Sequence, residues 1–182
     1  MERSEVKPLH RSALVIRPAC AEDRTGLRTL AHELCQGPLL SRYGAEPSRL
    51  WDELCTVVDG ERHSETLLLA IEPAAEATTI CGLARFSHSG MFGSIGGYLK
   101  LIAVADSRQG MGVGSLLLSH VEQTVSLHSR DLFLLASHFN DAAHRFYDRH
   151  GYREVGRLPD YVRPEITELI FWKRLRHREQ RG

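Results

Sequence analysis

The sequence lacks a charge bias. Lys plus Arg and Asp plus Glu each number 23 in 182 residues. Binders of nucleic acid or membrane surfaces usually carry a basic excess, so neither partner is expected. The basic C-terminal run KRLRHREQRG reads as a solvated end. Metal-site spacing is missing too. Cys20, Cys35, Cys55 and Cys81 form no C-x-x-C pair, the ten histidines are scattered, and no H-E-x-x-H occurs; no metal is expected. The opening MERSEVKPLHRSALVIRP holds no apolar signal core, and no apolar run is long enough to cross a bilayer. The expectation is a cytoplasmic protein. Internal repeats and low-complexity tracts are likewise missing. With 42% apolar and 25% charged residues, the chain has the make-up of a globular domain.

What is present is an alternation of strands and helices. ALVIRPA (13–19) reads as a strand. Leu27, Leu30, Ala31 and Leu34 then fall at helical spacing, with Asp23 placed to cap. A second helix starts at Pro47, buries Leu50, Trp51, Leu54 and Val58, and stops at Gly60. ETLLLAIE and TICGLARFSHS form an antiparallel hairpin, and YLKLIAVA (98–105) is the next strand. Val113, Leu117, Val121 and Val125, flanked by Leu116 and Leu118, give a long helix one broad apolar face. DLFLLAS (131–137) reads as a buried strand; NDAAHRFYDRHG reads as a helix capped by Asn140 and ended at Gly151. YREVGRL and EITELIFWKRL close the chain as strands. The result is an α/β fold with antiparallel and parallel pairs in one sheet. Residues 13–176 are expected to form a single domain, with 1–12 a flexible lead and 177–182 a polar tail.

Between the strand 98–105 and the long helix stands RQGMGVG. Gly110, Gly112 and Gly114 fall within five residues, although each glycine inside a helix costs about 1 kcal/mol relative to alanine. A helix N-terminus offers unpartnered N–H groups and partial positive charge. Glycine lets an anion reach them, so the loop suits a phosphate and a pyrophosphate best. A P-loop is excluded, because no Lys followed by Ser or Thr occurs here. The dinucleotide fingerprint is also missing its third glycine, since Ser115 or Leu117 stands there. A tight turn with no ligand would use the same glycines.

A second motif narrows this. Gln109-Gly110-Met111-Gly112-Val113-Gly114 has the form Q/R-x-x-G-x-G/A. It is followed by Asn140-x-x-Ala143-x-x-Phe146-Tyr147 and Gly151-Tyr152, and preceded by the VIRPA…ED opening. Together these resemble the GNAT superfamily of acetyl-CoA-dependent N-acetyltransferases over about residues 13–175. The resemblance implies a central twisted mixed sheet of about six to seven strands with helices on both faces.

The resemblance also implies roles. Backbone N–H groups of Gln109, Gly110, Met111, Gly112, Val113, Gly114 and Ser115 would grip the pyrophosphate of coenzyme A. Ile102, Ala103 and Val104 would pair with the pantetheine arm along a splayed strand, and the Val104 N–H would polarise the thioester carbonyl. Asn140 and Ala143 would lie on the arm. Tyr147 would sit near the sulfur and protonate the leaving thiolate, a role the motif favours over that of a core aromatic beside Phe146. Asp106 replaces a frequent proline. Many relatives carry a general-base Glu where this chain has Tyr98, and protein N-terminal acetyltransferases carry one where it has Leu135. Substitutes are His88, His138, Glu165, Glu168 or ordered water. The first two helices, the loop 87–97 and RLPDYVRPEITE would frame the acceptor, with Asp160, Tyr161 and Glu165 available to a cationic amine. The implied activity is acetyl transfer from acetyl-CoA to a primary amine of a small molecule. Protein or peptide acetylation and a non-catalytic acyl-CoA-binding module remain open, as does a homodimer.

Overall fold

A computed structural model describes residues 14–73, 78–90 and 96–175. The lead 1–12, the tail 177–182 and residues 91–95 of the glycine-rich loop lie outside the described residues. In chain order the elements are β1 (Val15–Pro18), α1 (Arg24–Gln36), α2 (Pro38–Arg42), α3 (Pro47–Val58), β2 (Glu65–Glu72), β3 (Thr79–Ser87), β4 (Gly97–Val104), α4 (Val113–Ser126), β5 (Asp131–Ser137), α5 (Asp141–Arg149), β6 (Arg153–Leu158) and β7 (Glu168–Arg174). The strands form one sheet in the order β1-β2-β3-β4-β5-β7-β6. All pairs are antiparallel except β4 with β5. β7 therefore inserts between β5 and β6.

Strand alternation sends side chains to two cores. Leu67, Leu69, Ile71 and Leu83 meet Leu27, Leu30 and Leu54 of α1 and α3 on one face. On the other, Leu68, Ala70, Ala84 and Leu132 meet Val113, Leu117, Val121 and Val125 of α4. The expected apolar face of α4 is thus buried, although Leu116 is only half-buried. Helices lie on both faces, as the sequence suggested. The short α2 has too little periodicity to show in sequence.

Asp23 takes a different role from the one expected. It makes no side-chain cap bond to α1 itself, but it ends the 3-10 turn Ala21–Asp23 that leads into α1 and there forms the reciprocal half of a capping box with Cys20. Its carboxylate accepts from Arg17 at 2.6 and 2.7 Å and from the Cys20 N–H at 2.8 Å. The Arg17 hydrogen bonds hold this buried carboxyl down to about 2. A carboxyl depressed in the fold stabilises it above its unfolded pKa, and that stability is lost as pH falls through the folded value. Asp23→Asn is therefore expected to cost about 2 kcal/mol at pH 7. It should also flatten the loss of stability between about pH 4 and pH 2, as read by urea titration at several pH values.

Candidate active site

β4 and β5 pair only at Gly97–Leu132, Tyr98–Phe133 and Leu99–Leu134. Beyond that point Lys100–Val104 and Leu135–Ser137 part, and β5 stays joined to β7. A bulge in β4 accompanies the parting: Arg85 faces Leu101 and Phe86 faces Leu99, so Lys100 is the extra residue. Lys100 is fastened outside by Glu65 at 2.6 Å. Past the bulge, main-chain groups alternate between the two strand edges. The Ala105 N–H donates to the Cys81 carbonyl of β3 at 3.0 Å. Ala103 therefore also addresses β3, while Ile102 and Val104 present their N–H and C=O groups to the gap.

The glycine loop stands at the end of that gap. Gly110 and Gly112 have φ of 75° and 83°, a left-handed conformation that side chains disfavour. A Cβ at Gly110 would meet nothing within 4 Å, so the loop is open on that side. The Gln109 N–H is taken by the Asp106 carbonyl at 3.3 Å, and its side chain by Asp106 Oδ1 at 2.8 Å. The first helical bond of α4 runs from the Leu116 N–H to the Gly112 carbonyl at 3.1 Å. In between, the N–H groups of Gly110, Met111, Gly112, Val113, Gly114 and Ser115 have no acceptor among the described residues. An ordinary helix leaves about four such donors. The run of free donors thus begins at Gly110, one residue later than Gln109. Val113 turns its side chain into the core and leaves only its N–H to the loop. Ile102, Val104, Met111, Ala143 and Phe146 lie half-buried beside the gap, an apolar strip next to the donors.

α5 closes the same end. Asn140 caps it by accepting from the Ala143 N–H at 3.1 Å, which leaves its Nδ2 without a partner among the described residues. Phe146 comes within 3.6 Å of the point where a Gly114 Cβ would stand. The Tyr147 ring is buried against Phe146, Tyr152 and Phe171, at centroid distances of 5.2, 5.6 and 5.7 Å. Burial pushes its phenol well above the ordinary value. Its hydroxyl has no partner among the described residues. It is not sealed either, because the sealed partnerless side-chain atoms are His88 Nδ1 and Arg108 Nε.

On the opposite face, Tyr43 follows α2 and its hydroxyl meets both Ser137 Oγ and Glu168 Oε1. Ser137 and Glu168 are cross-strand partners on β5 and β7, and both are buried. Beside them an open pocket of about 370 Å³ is lined by Arg42, His138, Phe139, Arg163, Pro164, Glu165 and Ile166. Arg42 covers the Phe139 ring at 4.2 Å. Of the suggested bases, Glu168 lies deepest here, and His138 and Glu165 line the mouth. His88 is elsewhere: it follows the end of β3 that pairs with Tyr98, and its ring meets the His128 ring edge-on at 4.6 Å. Asp160 spends its Oδ1 on the Glu165 N–H at 2.6 Å, holding the β6–β7 loop. The Tyr43–Ser137–Glu168 cluster was missed in sequence, because its members are 94 and 125 residues apart.

Among the described residues no group of His, Cys, Asp or Glu could hold a metal ion, and no helix is long and apolar enough to cross a membrane. No curated protein matches the sequence. Solved structures do match the fold. A GNAT-family protein from Desulfovibrio desulfuricans superposes with a TM-score of 0.72 at 22% identity, over 89% of this chain and 99% of that one. Arabidopsis thaliana NAA60, solved with a bisubstrate analogue and also with acetyl-CoA, gives 0.68 at 16% identity; the first of these covers 90% of this chain and 99% of that one. A GNAT-family acetyltransferase from Bacillus cereus gives 0.67 at 16%, covering 90% and 98%. The model of the acetyltransferase (GNAT) domain matches residues 63–154, just over half of the chain and the stretch that carries β4, the glycine loop and α5. The chain belongs to the GNAT family of acetyltransferases.

Proposed function

We propose that the protein transfers an acetyl group from acetyl-CoA to the primary amine of a small molecule by direct attack. The observation that carries this is the row of six unpartnered N–H groups from Gly110 to Ser115 at the end of a splayed strand edge. Converging amides at a helix start suit a diphosphate. The main chain of Ile102 and Val104 is free to hold an extended amide-bearing arm, with the Asn140 Nδ2 beside it. Acetyl-CoA supplies the thioester; the protein supplies the Val104 N–H to its carbonyl and the Tyr147 hydroxyl to its sulfur. In the balanced reaction a C–N bond forms and the C–S bond breaks with its electron pair on sulfur. The amine gives up one proton and the thiolate takes one.

A pocket of about 370 Å³ supports a small acceptor, since ligand pockets run from about 300 to 1,000 Å³. Arg42 and Arg163, set against the single carboxylate of Glu165, favour an amine that also carries an anionic group. The test is release of free thiol from acetyl-CoA with a panel of primary alkylamines, amino acids, a diamine and short peptides with a free N-terminus. Turnover is expected with small amines, best with those bearing a carboxylate. Turnover with peptides alone would replace this reading with protein acetylation. Tight coenzyme binding with no turnover would replace it with a binding module.

A further inference from the structure

Glu168 is 2% exposed, yet no Lys, Arg or His pairs with it among the described residues. A buried carboxylate without a counter-ion is costly to a fold. Its side-chain partner is the Tyr43 hydroxyl, which Ser137 Oγ also meets, and the directions follow from donor counting. An ionised carboxylate only accepts, so the Tyr43 hydroxyl donates its one hydrogen to Glu168 Oε1. The contact between Tyr43 and Ser137 then runs the other way, from Ser137 Oγ to Tyr43 Oη. Tyr43 Oη keeps one lone pair, which can accept an N–H from an acceptor amine. Every hydrogen bond in the chain points toward Glu168.

We propose, on the reading that this protein acetylates amines, that Tyr43 is the catalytic residue that takes the acceptor's proton and that Glu168 receives it through Tyr43. As the amine nitrogen bonds to the thioester carbon, its N–H bond breaks and that proton passes to Tyr43 Oη. The Tyr43 hydroxyl proton passes to Glu168, and the N–H electron pair stays on the amide nitrogen. The thiolate takes a proton from solvent and Glu168 returns one, so protons balance for a neutral amine. Ser137 holds Tyr43 in line as a positioning residue. Burial and the Glu168 bond push the Tyr43 phenol up to about 12, so it is filled with its proton at rest and acts only in concert with Glu168. Tyr98 from β4 also faces this carboxylate, and Tyr161 faces Tyr98 from the β6–β7 loop. Tyr43 and Ser137 each adjoin in sequence a residue that lines the pocket, Arg42 and His138, and the relay needs no carboxylate at Tyr98 or Leu135.

Glu168→Gln keeps the size of the side chain, and Tyr43→Phe tests the link from a half-buried position. Both are assayed with an alkylamine from the responsive panel and with hydroxylamine, which is largely neutral at pH 7 and has little need of a base. Each variant is expected to lose about 100-fold in kcat with the alkylamine. The loss with hydroxylamine should be much smaller, and affinity for coenzyme A should hold within about twofold of wild type by calorimetry. Equal losses with both nucleophiles, or wild-type rates, would overturn the relay. A wild-type protein that binds coenzyme A but acetylates no amine would instead overturn the underlying reading, and the relay with it. Should Glu168→Gln unfold, Tyr43→Phe decides alone.

Discussion

Replacing Gly112 by valine is expected to remove measurable coenzyme A binding from a protein that still folds. Gly112 has a φ of 83° immediately before α4. A β-branched residue is a genuine outlier there, at a cost of about 1–3 kcal/mol. That lies within the usual 5–15 kcal/mol of a stable domain. The larger effect falls on the donors. Charge-assisted hydrogen bonds are worth about 1.5–3 kcal/mol each, and the loop offers six N–H groups whose directions depend on this φ. Losing two of them lowers affinity about 10²- to 10⁴-fold. Gly110→Ala is the control. It also has positive φ, at 75°, but a Cβ there meets nothing within 4 Å. Its strain falls on the stability of the fold, by about 1–2 kcal/mol, while coenzyme affinity should hold within about threefold. Calorimetry on both variants, with circular dichroism to confirm the fold, separates the two effects. Wild-type affinity in folded Gly112→Val would remove the pyrophosphate assignment.

Gly114 acts differently from its neighbours. A Cβ there would lie 3.6 Å from Phe146 and 3.6 Å from Val104 Cγ2, an ordinary contact. Alanine fits, which agrees with the G/A alternative of the motif. Valine would drive a methyl group into the packing between α4, α5 and β4. The third glycine thus serves the approach of elements, while Gly110 and Gly112 serve the shape of the loop.

The legible parts of this protein are those fixed by local chemistry. The spacing of Val113, Leu117, Val121 and Val125 sets the buried face of α4. Asn140 caps α5 because its side chain reaches the Ala143 N–H three residues on. Positive-φ glycines mark the loop for the same local reason. What escaped depends on distant partners. Asp23 caps the turn before α1 through the Cys20 N–H, but the two hydrogen bonds from Arg17 that also hold it left no local pattern. The bulge at Lys100 leaves no pattern in YLKLIAVA, because it is a matter of register against β3. It nevertheless decides which main-chain groups face the gap, turning Ile102 and Val104 outward and Ala103 toward β3. Glu168 appeared in sequence as one of several scattered acids. Only the pairing of β5 with β7, and the placement of Tyr43 after α2, bring it against the Tyr43 hydroxyl, which Ser137 also meets.

Tyr147→Phe should lower kcat by about 10²- to 10³-fold, the cost of losing one aimed donor in a dry site, while leaving stability almost unchanged. Stability holds because the lost hydroxyl has no partner among the described residues, and the ring keeps Phe146, Tyr152 and Phe171. A fall in rate therefore cannot be charged to folding. The raised phenol sets the form of catalysis. A thiol titrates near about 8.5, so a phenol held above its ordinary value of about 10 gives up its proton to a thiolate only uphill. On the proposed function, Tyr147 would accordingly be a standing donor that stabilises charge on sulfur as the C–S bond breaks, with solvent completing the protonation. Two results follow. The alkaline limb of the kcat profile should stay in place in Tyr147→Phe, because a group that remains protonated past about pH 10 cannot define it. Affinity for coenzyme A should also hold, because the donor matters only once charge reaches the sulfur. A variant with wild-type kcat would reduce Tyr147 to a core aromatic. A limb that vanished with the hydroxyl would make it a true proton donor.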